Sequence, residues 1–177
     1  NRLVRQRGPQ RFIQRTANYW QLWLQSHAPE FGSIPEKVRQ QYLRSLLVLR
    51  TQIDNGGAII AANDSDISSA VRDTYSYLWP RDGALVAEAL VRAGYINLPR
   101  AFFEFCADVL TKEGYLLHKY NPDRTLASSW HPWVRDGLKD LPIQEDETAL
   151  VIWALWKHFK KFSDVEFIKP LYRKLIV

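Results

Sequence analysis

Two stretches of the sequence share one pattern, an acid, any residue, Ala-Leu-Val, two further residues and Ala-Leu. They are Asp82-Gly83-Ala84-Leu85-Val86-Ala87-Glu88-Ala89-Leu90 and Glu147-Thr148-Ala149-Leu150-Val151-Ile152-Trp153-Ala154-Leu155. Segments apolar at nearly every position make helices that must be covered on most faces. Leu46-Leu47-Val48-Leu49 marks a third such segment. Helices of this kind are satisfied when amphipathic partners alternate with them, so that helical pairs line up as an arc or ring with the apolar members inside.

The periodicity along the chain predicts three such pairs. Helix one carries Phe12, Ile13, Tyr19, Trp20, Trp23 and Leu24, and helix two runs from Pro35 through Val38 and Tyr42 to Ile53, ending at Asn55-Gly56-Gly57. Helix three follows Pro80 and reaches Arg92, and helix four covers about Leu98 to Leu110 with Pro99 near its start. Helix five opens on Gln144-Glu145-Asp146-Glu147-Thr148 and ends at Phe162, and Asp164 caps a sixth helix that is expected to break or kink at Pro170 before Val177. Helices two, three and five belong on the concave side of an open arc. Extended structure is confined to a buried Ala58–Ala62 and a hairpin of Gly114–Tyr120 with Thr125–Trp130 about Asn121-Pro122-Asp123-Arg124. The fold class is therefore all-α.

The chemistry concentrates in Tyr75-Ser76-Tyr77-Leu78-Trp79-Pro80-Arg81-Asp82-Gly83. Pro80 disfavours helix at Trp79 and suits the first turn of helix three, which leaves Arg81 and Asp82 on the N-terminal rim. Asp82 is then either a helix cap or an acid that holds a ligand. In a ring the acidic starts of helices three and five meet at one end, a place where the helix dipole favours carboxylates in any case. Tyr75, Tyr77, Trp79, Trp130 and Trp133 stand in the loops at that same end. Carboxylates beside flat aromatic rings suit a sugar, whose apolar face stacks while its hydroxyls donate to the acids.

Composition excludes other classes. No run of eighteen apolar residues suggests a membrane span, and a single cysteine, Cys106, inside Phe102-Phe103-Glu104-Phe105-Cys106-Ala107 makes neither an internal disulfide nor a thiolate metal site. The net charge of +5 comes largely from Arg2, Arg5, Arg7, Arg11 and Arg15 in a basic arm over residues 1–16. That arm lacks interleaved aromatics and any nucleic-acid motif, so neither a nucleic acid nor a membrane is expected as a partner, and the cytoplasm is the favoured compartment. The chain begins at Asn and not Met, which reads as a processed or trimmed N-terminus without a visible signal peptide.

Tyr75-x-Tyr77-x-Trp79-x-Arg81-Asp82 resembles the Tyr-x-Tyr-x-Trp-x-Arg-Asp motif of the family 15 glycoside hydrolases, the inverting glucoamylases and glucodextranases, and the order of helix pairs, hairpin and Trp-bearing loop is similar across the chain. The resemblance implies an (α/α)6 toroid, of which this chain supplies about three of six pairs over residues 1–177. It implies release of glucose from α-glucans or α-glucosides at the non-reducing end with inversion, without metal or cofactor. It also implies that Arg81 and Asp82 grip the terminal glucose, that Tyr75 and Trp79 line the same subsite, and that Trp130 matches the Trp of the loop before the acid helix. The family's general acid lies in a Trp-Glu-Glu sequence at the start of the fifth helix. Here the stretch reads Gln144-Glu145-Asp146, which gives the role to Glu145, or to Glu147 if the alignment shifts by two. An inverting enzyme also needs a base roughly 6.5–9.5 Å from the acid. In the family that base lies in the second half, so this chain looks like the general-acid half of a site, and its exposed apolar edge calls for a missing C-terminal half or a second copy. The alternative is a non-catalytic ring that binds a glycan or a protein, as in the phosphorylase kinase regulatory subunits, which resemble this family.

Overall fold

A computed structural model describes residues 8–27, 29–63, 75–127 and 133–177. The chain divides into two compact units, residues 1–50 and 51–177. Trp130, residues 1–7 of the basic arm and most of the loop after Asn63 lie outside the described residues.

The first unit is a helical pair. α1 spans Pro9–Gln25, with Pro9 in its first turn, so Arg11 and Arg15 of the basic arm lie on a helix. None of its residues is buried, and its aromatics meet one another along the helix, Tyr19 on Trp20 at 5.1 Å and Trp20 on Trp23 at 6.1 Å. α2 spans Glu36–Thr51 and reaches the boundary of the unit. Of α2 only Leu46 is buried, while Val38 and Val48 are more than half exposed. The expectation that this helix is covered on most faces is corrected: its apolar residues are interrupted by Arg39, Arg44 and Arg50, which need solvent.

The second unit holds α3 (Pro80–Arg92), α4 (Asn97–Val109), the two-residue strands β1 (Val134–Arg135) and β2 (Leu138–Lys139), α5 (Glu145–Phe162) and α6 (Val165–Leu175). α3 lies along α5 as its most extensive partner, with α4 against α3 and α6 against α4. The fold is all-α, with one short antiparallel pair of regular strands among the described residues. Its most deeply buried surface belongs to α4, whose Phe102, Phe103, Phe105 and Cys106 are sealed from solvent. Two glycines permit close approaches to that helix. A Cβ on Gly83 would stand 2.3 Å from the Phe102 ring, and Gly57 holds φ +91° with Ala101 O so near that a Cβ would meet it at 2.1 Å. Asp54 Oδ1 accepts from the backbone N–H groups of Gly56 and Ala58 at 2.9 and 2.8 Å and so shapes the turn that delivers Gly57.

Three expectations change. The repeat in α3 and α5 is real in sequence but out of phase in burial. Gly83, Ala87, Leu90 and Val91 are buried on α3, and the matching face of α5 is Glu147, Val151, Ala154 and Leu155. That correspondence is one residue off the sequence repeat, a rotation of about 100°. It pairs Asp82 with Asp146, and puts Glu147 where α3 has Gly83. The regular strands also lie elsewhere than expected. Around Asn121–Arg124 the described residues do pair, Tyr120 with Leu126, Asn121 N–H to Thr125 O at 2.8 Å and Ala127 N–H to Lys119 O at 3.1 Å, while the regular strands flank Asp136-Gly137. Both turn residues there have positive φ, 52° and 79°, so the Asp-Gly pair is the hairpin signal. Finally, Pro170 sits inside a continuous α6, capped as expected by Asp164, whose carboxylate accepts from Phe167 N–H at 3.1 Å. Pro170 and Glu166 are both exposed, so water satisfies the carbonyl that the missing N–H would have bonded.

Candidate active site

Backbone pairing fixes the aromatic motif from both sides. Ala61 and Ala62 donate to Tyr77 O and Tyr75 O at 2.9 and 3.0 Å, and Leu78 exchanges hydrogen bonds of 2.9 and 2.8 Å with Tyr120. Trp79 is the extended N-cap of α3, with Pro80 at its first position, so Arg81 and Asp82 emerge from the first turn. Asp82 is not a cap. Its side chain is exposed and makes no hydrogen bond or ion pair to the described residues. Arg81 Nη1 lies 3.2 Å from both Oδ atoms of Asp146, so the starts of α3 and α5 meet through an ion pair.

These residues line a cavity of about 240 Å³ bounded by Ala61, Tyr75, Trp79, Arg81, Asp82, His118 and Gln144. Tyr75 is its exposed ring, tilted 32° against Trp79 at 5.8 Å, and Tyr77 meets Trp79 edge-on at 6.0 Å. Lys119 Nζ stands 4.4 Å from the Tyr77 ring centre, a cation–π contact behind the wall. The Trp79 indole N–H donates to His118 Nε2 at 3.1 Å, and the His118 ring meets Trp133 at 5.4 Å. The structure thus brings together Tyr75, Trp79, Arg81 and Asp82. Neither Glu145, which is exposed, nor Glu147, which is buried, lines this cavity. His118 and Gln144 are the residues that sequence reasoning missed. The signal for His118 was its alternation with Leu116 and Tyr120, which are both buried and leave a histidine on the covered face of an extended run.

Glu147 has no exposed surface, and neither carboxyl oxygen finds a hydrogen-bond partner among the described residues. Burial raises its pKa from 4.5 to about 8; Asp146 and Asp82 push the same way, and Arg81 opposes them. An unfolded chain ionises this carboxyl near 4.5 while the folded chain keeps the proton to about 8, so stability falls as pH rises through that window. Glu147→Gln, which keeps the shape and cannot ionise, flattens the slope and is more stable than the parent at pH 8 by roughly 3 kcal/mol, with little difference near pH 5. Urea unfolding at the two pH values measures this. A variant with the parental slope would show that the proton is bound elsewhere.

Among the described residues no cluster of three His, Cys, Asp or Glu is arranged to hold a metal ion, and no helix is long and apolar enough to cross a membrane.

The model for glycosyl hydrolases family 15 matches residues 36–170. An uncharacterised glycosyl hydrolase of Methanocaldococcus jannaschii is 29% identical over 126 residues, covering 71% of this chain and 18% of that protein. Trehalase 1 of Sulfolobus acidocaldarius is 26% identical over 140 residues, covering 67% of this chain and 25% of its own length. A trehalase of Thermoplasma acidophilum is 29% identical over 118 residues, covering 64% and 19%. The chain therefore spans no more than a quarter of the curated relatives it matches. No solved structure matches it.

Proposed function

The chain belongs to family 15 of the glycosyl hydrolases, and from that premise we propose that it forms the sugar-gripping wall of a site that releases glucose from the non-reducing end of α-glucosides with inversion. The observation that carries this reading is the cavity in which Arg81, Asp82 and the exposed Tyr75 ring converge. At about 240 Å³ it lies below the roughly 300–1,000 Å³ of sites for drug-sized molecules and suits a single sugar residue. Asp82 accepts from two sugar hydroxyls, Arg81 donates to a third oxygen while Asp146 steadies it, and Tyr75 covers the apolar face of the ring. Glu145 opens α5 directly after the cavity-lining Gln144 and is accessible, which supports it as the proton donor to the departing oxygen; the buried Glu147 is the alternative. Two of the relatives are named trehalases, and trehalose presents a non-reducing α-glucosyl group just as maltose does. The apolar groove between α5 and α6, lined by Leu155, Trp156, Phe159, Ile168, Tyr172 and Ile176, supports an apolar edge covered by a C-terminal half or by a second copy.

The test is hydrolysis of maltose and of trehalose by the full-length protein, followed by proton NMR of the anomeric signals. Single displacement delivers the glucose cleaved at its anomeric carbon as the β-anomer before mutarotation. Release of α-glucose alone from trehalose, or of no more β-glucose from maltose than its own reducing end supplies, excludes inversion, and hydrolysis of neither sugar excludes the substrate class.

A further inference from the structure

Within the cavity wall lies a contact that sugar recognition alone does not call for. Indole nitrogen is a donor only, so the 3.1 Å contact from Trp79 Nε1 makes His118 Nε2 an unprotonated acceptor and places the imidazole proton on Nδ1. Trp79 is 5% exposed and backs Tyr75, the ring that faces the cavity. His118 also rests edge-on against Trp133, which confines its own plane. The sequence His118–Trp79–Tyr75 is thus a run of ring contacts, edge-on at 6.2 Å and then tilted at 5.8 Å, with the indole hydrogen bond at its root. We propose that His118 is a positioning residue for the sugar site, setting the plane of Trp79 and through it the stacking face of Tyr75. The proposal rests on the sugar-binding reading above and adds to it a residue of the cavity lining that acts through Trp79.

The charges around His118 decide when the lock holds. Arg81 and Asp82 reach the cavity from α3, with Asp146 of α5 held on Arg81, Tyr75 comes from the preceding loop, and Lys119 is the next residue. Burial, and then Lys119 and Arg81, hold the imidazole below its ordinary pKa of 6.5. The neutral form therefore persists through neutrality. Protonation as the pH falls below that range puts an N–H on Nε2 against the indole N–H and breaks the lock.

Three forms of the full-length protein test this: the parent, His118→Gln, which keeps an acceptor at the same reach and does not titrate, and His118→Leu, which removes it. Each is labelled with 5-fluorotryptophan, and the Trp79 fluorine resonance is identified by its loss in Trp79→Phe. In the parent that resonance shifts as pH falls below 6.5; in His118→Gln it does not. With maltose or trehalose, whichever the parent hydrolyses, His118→Leu raises KM on the order of tenfold with kcat little changed, and His118→Gln restores KM and loses the parent's rise in KM at acid pH. A parental KM in His118→Leu, or an acid rise in KM that survives in His118→Gln, overturns the proposal. A parent that hydrolyses neither sugar defeats the proposed function and not this contact. The fluorine resonance then decides alone, and a Trp79 signal that does not move with pH in the parent overturns the lock.

Discussion

Replacing Asp82 by Asn in the full-length protein lowers kcat/KM for α-glucosides by about a thousandfold while the melting temperature stays within a few degrees of the parent. The asymmetry follows from where the carboxylate stands. Asp82 is exposed in the first turn of α3, is not the N-cap, and makes no hydrogen bond or ion pair to the described residues, so the fold loses only its interaction with the helix dipole, about 0.3–1 kcal/mol. A bound sugar would lose two hydrogen bonds to a charged acceptor, each about 1.5–3 kcal/mol, and together these give the thousandfold. Steady-state kinetics and a thermal melt on the same preparation separate the two. Undiminished hydrolysis, or a variant that simply unfolds, returns Asp82 to a structural role.

Glu145→Gln slows maltose or trehalose hydrolysis by roughly 10²–10⁴-fold, the usual contribution of a positioned general acid, and leaves α-glucosyl fluoride, whose leaving group needs no proton, largely unaffected. Glu147→Gln shows no such selectivity. The two carboxyls are two residues apart on one helix, about 200° around its axis, so packing that buries one leaves the other open. Here Glu147 is the buried one. Selective loss in Glu147→Gln would transfer the role to it. If neither variant distinguishes the two substrates, the proton donor stands on a segment of the protein beyond these residues.

The motif Tyr75 to Asp82 was legible because each of its signals is local. Pro80 both ends the extended run and starts α3, and no distant residue is needed to put Arg81 and Asp82 on the first turn. The same holds for the helices, whose periods and caps are contained in a few turns: Asp164 caps α6 as its position suggested. Pro170 misled because the cost of a proline depends on whether the freed carbonyl meets water, and burial is not a local property. Asp136-Gly137 was passed over although its turn chemistry was plain, while Asn121–Arg124 turns the chain between arms that pair at Tyr120 with Leu126 and at Lys119 with Ala127 without forming regular strands among the described residues.

The residues by themselves determined an all-α succession of helical pairs and singled out Tyr75, Trp79, Arg81 and Asp82, which the structure places around one cavity. Tertiary structure decided the rotation of α5 against α3, one residue away from the sequence repeat, and with it which acid is sealed in as Glu147, which is paired to Arg81 as Asp146 and which stays open as Glu145. It also decided that His118, thirty-nine residues from Trp79, holds the indole. The reason is that backbone propensity acts within a few residues, whereas burial, and the pKa shifts and hydrogen bonds that burial creates, depend on which surfaces distant segments press together.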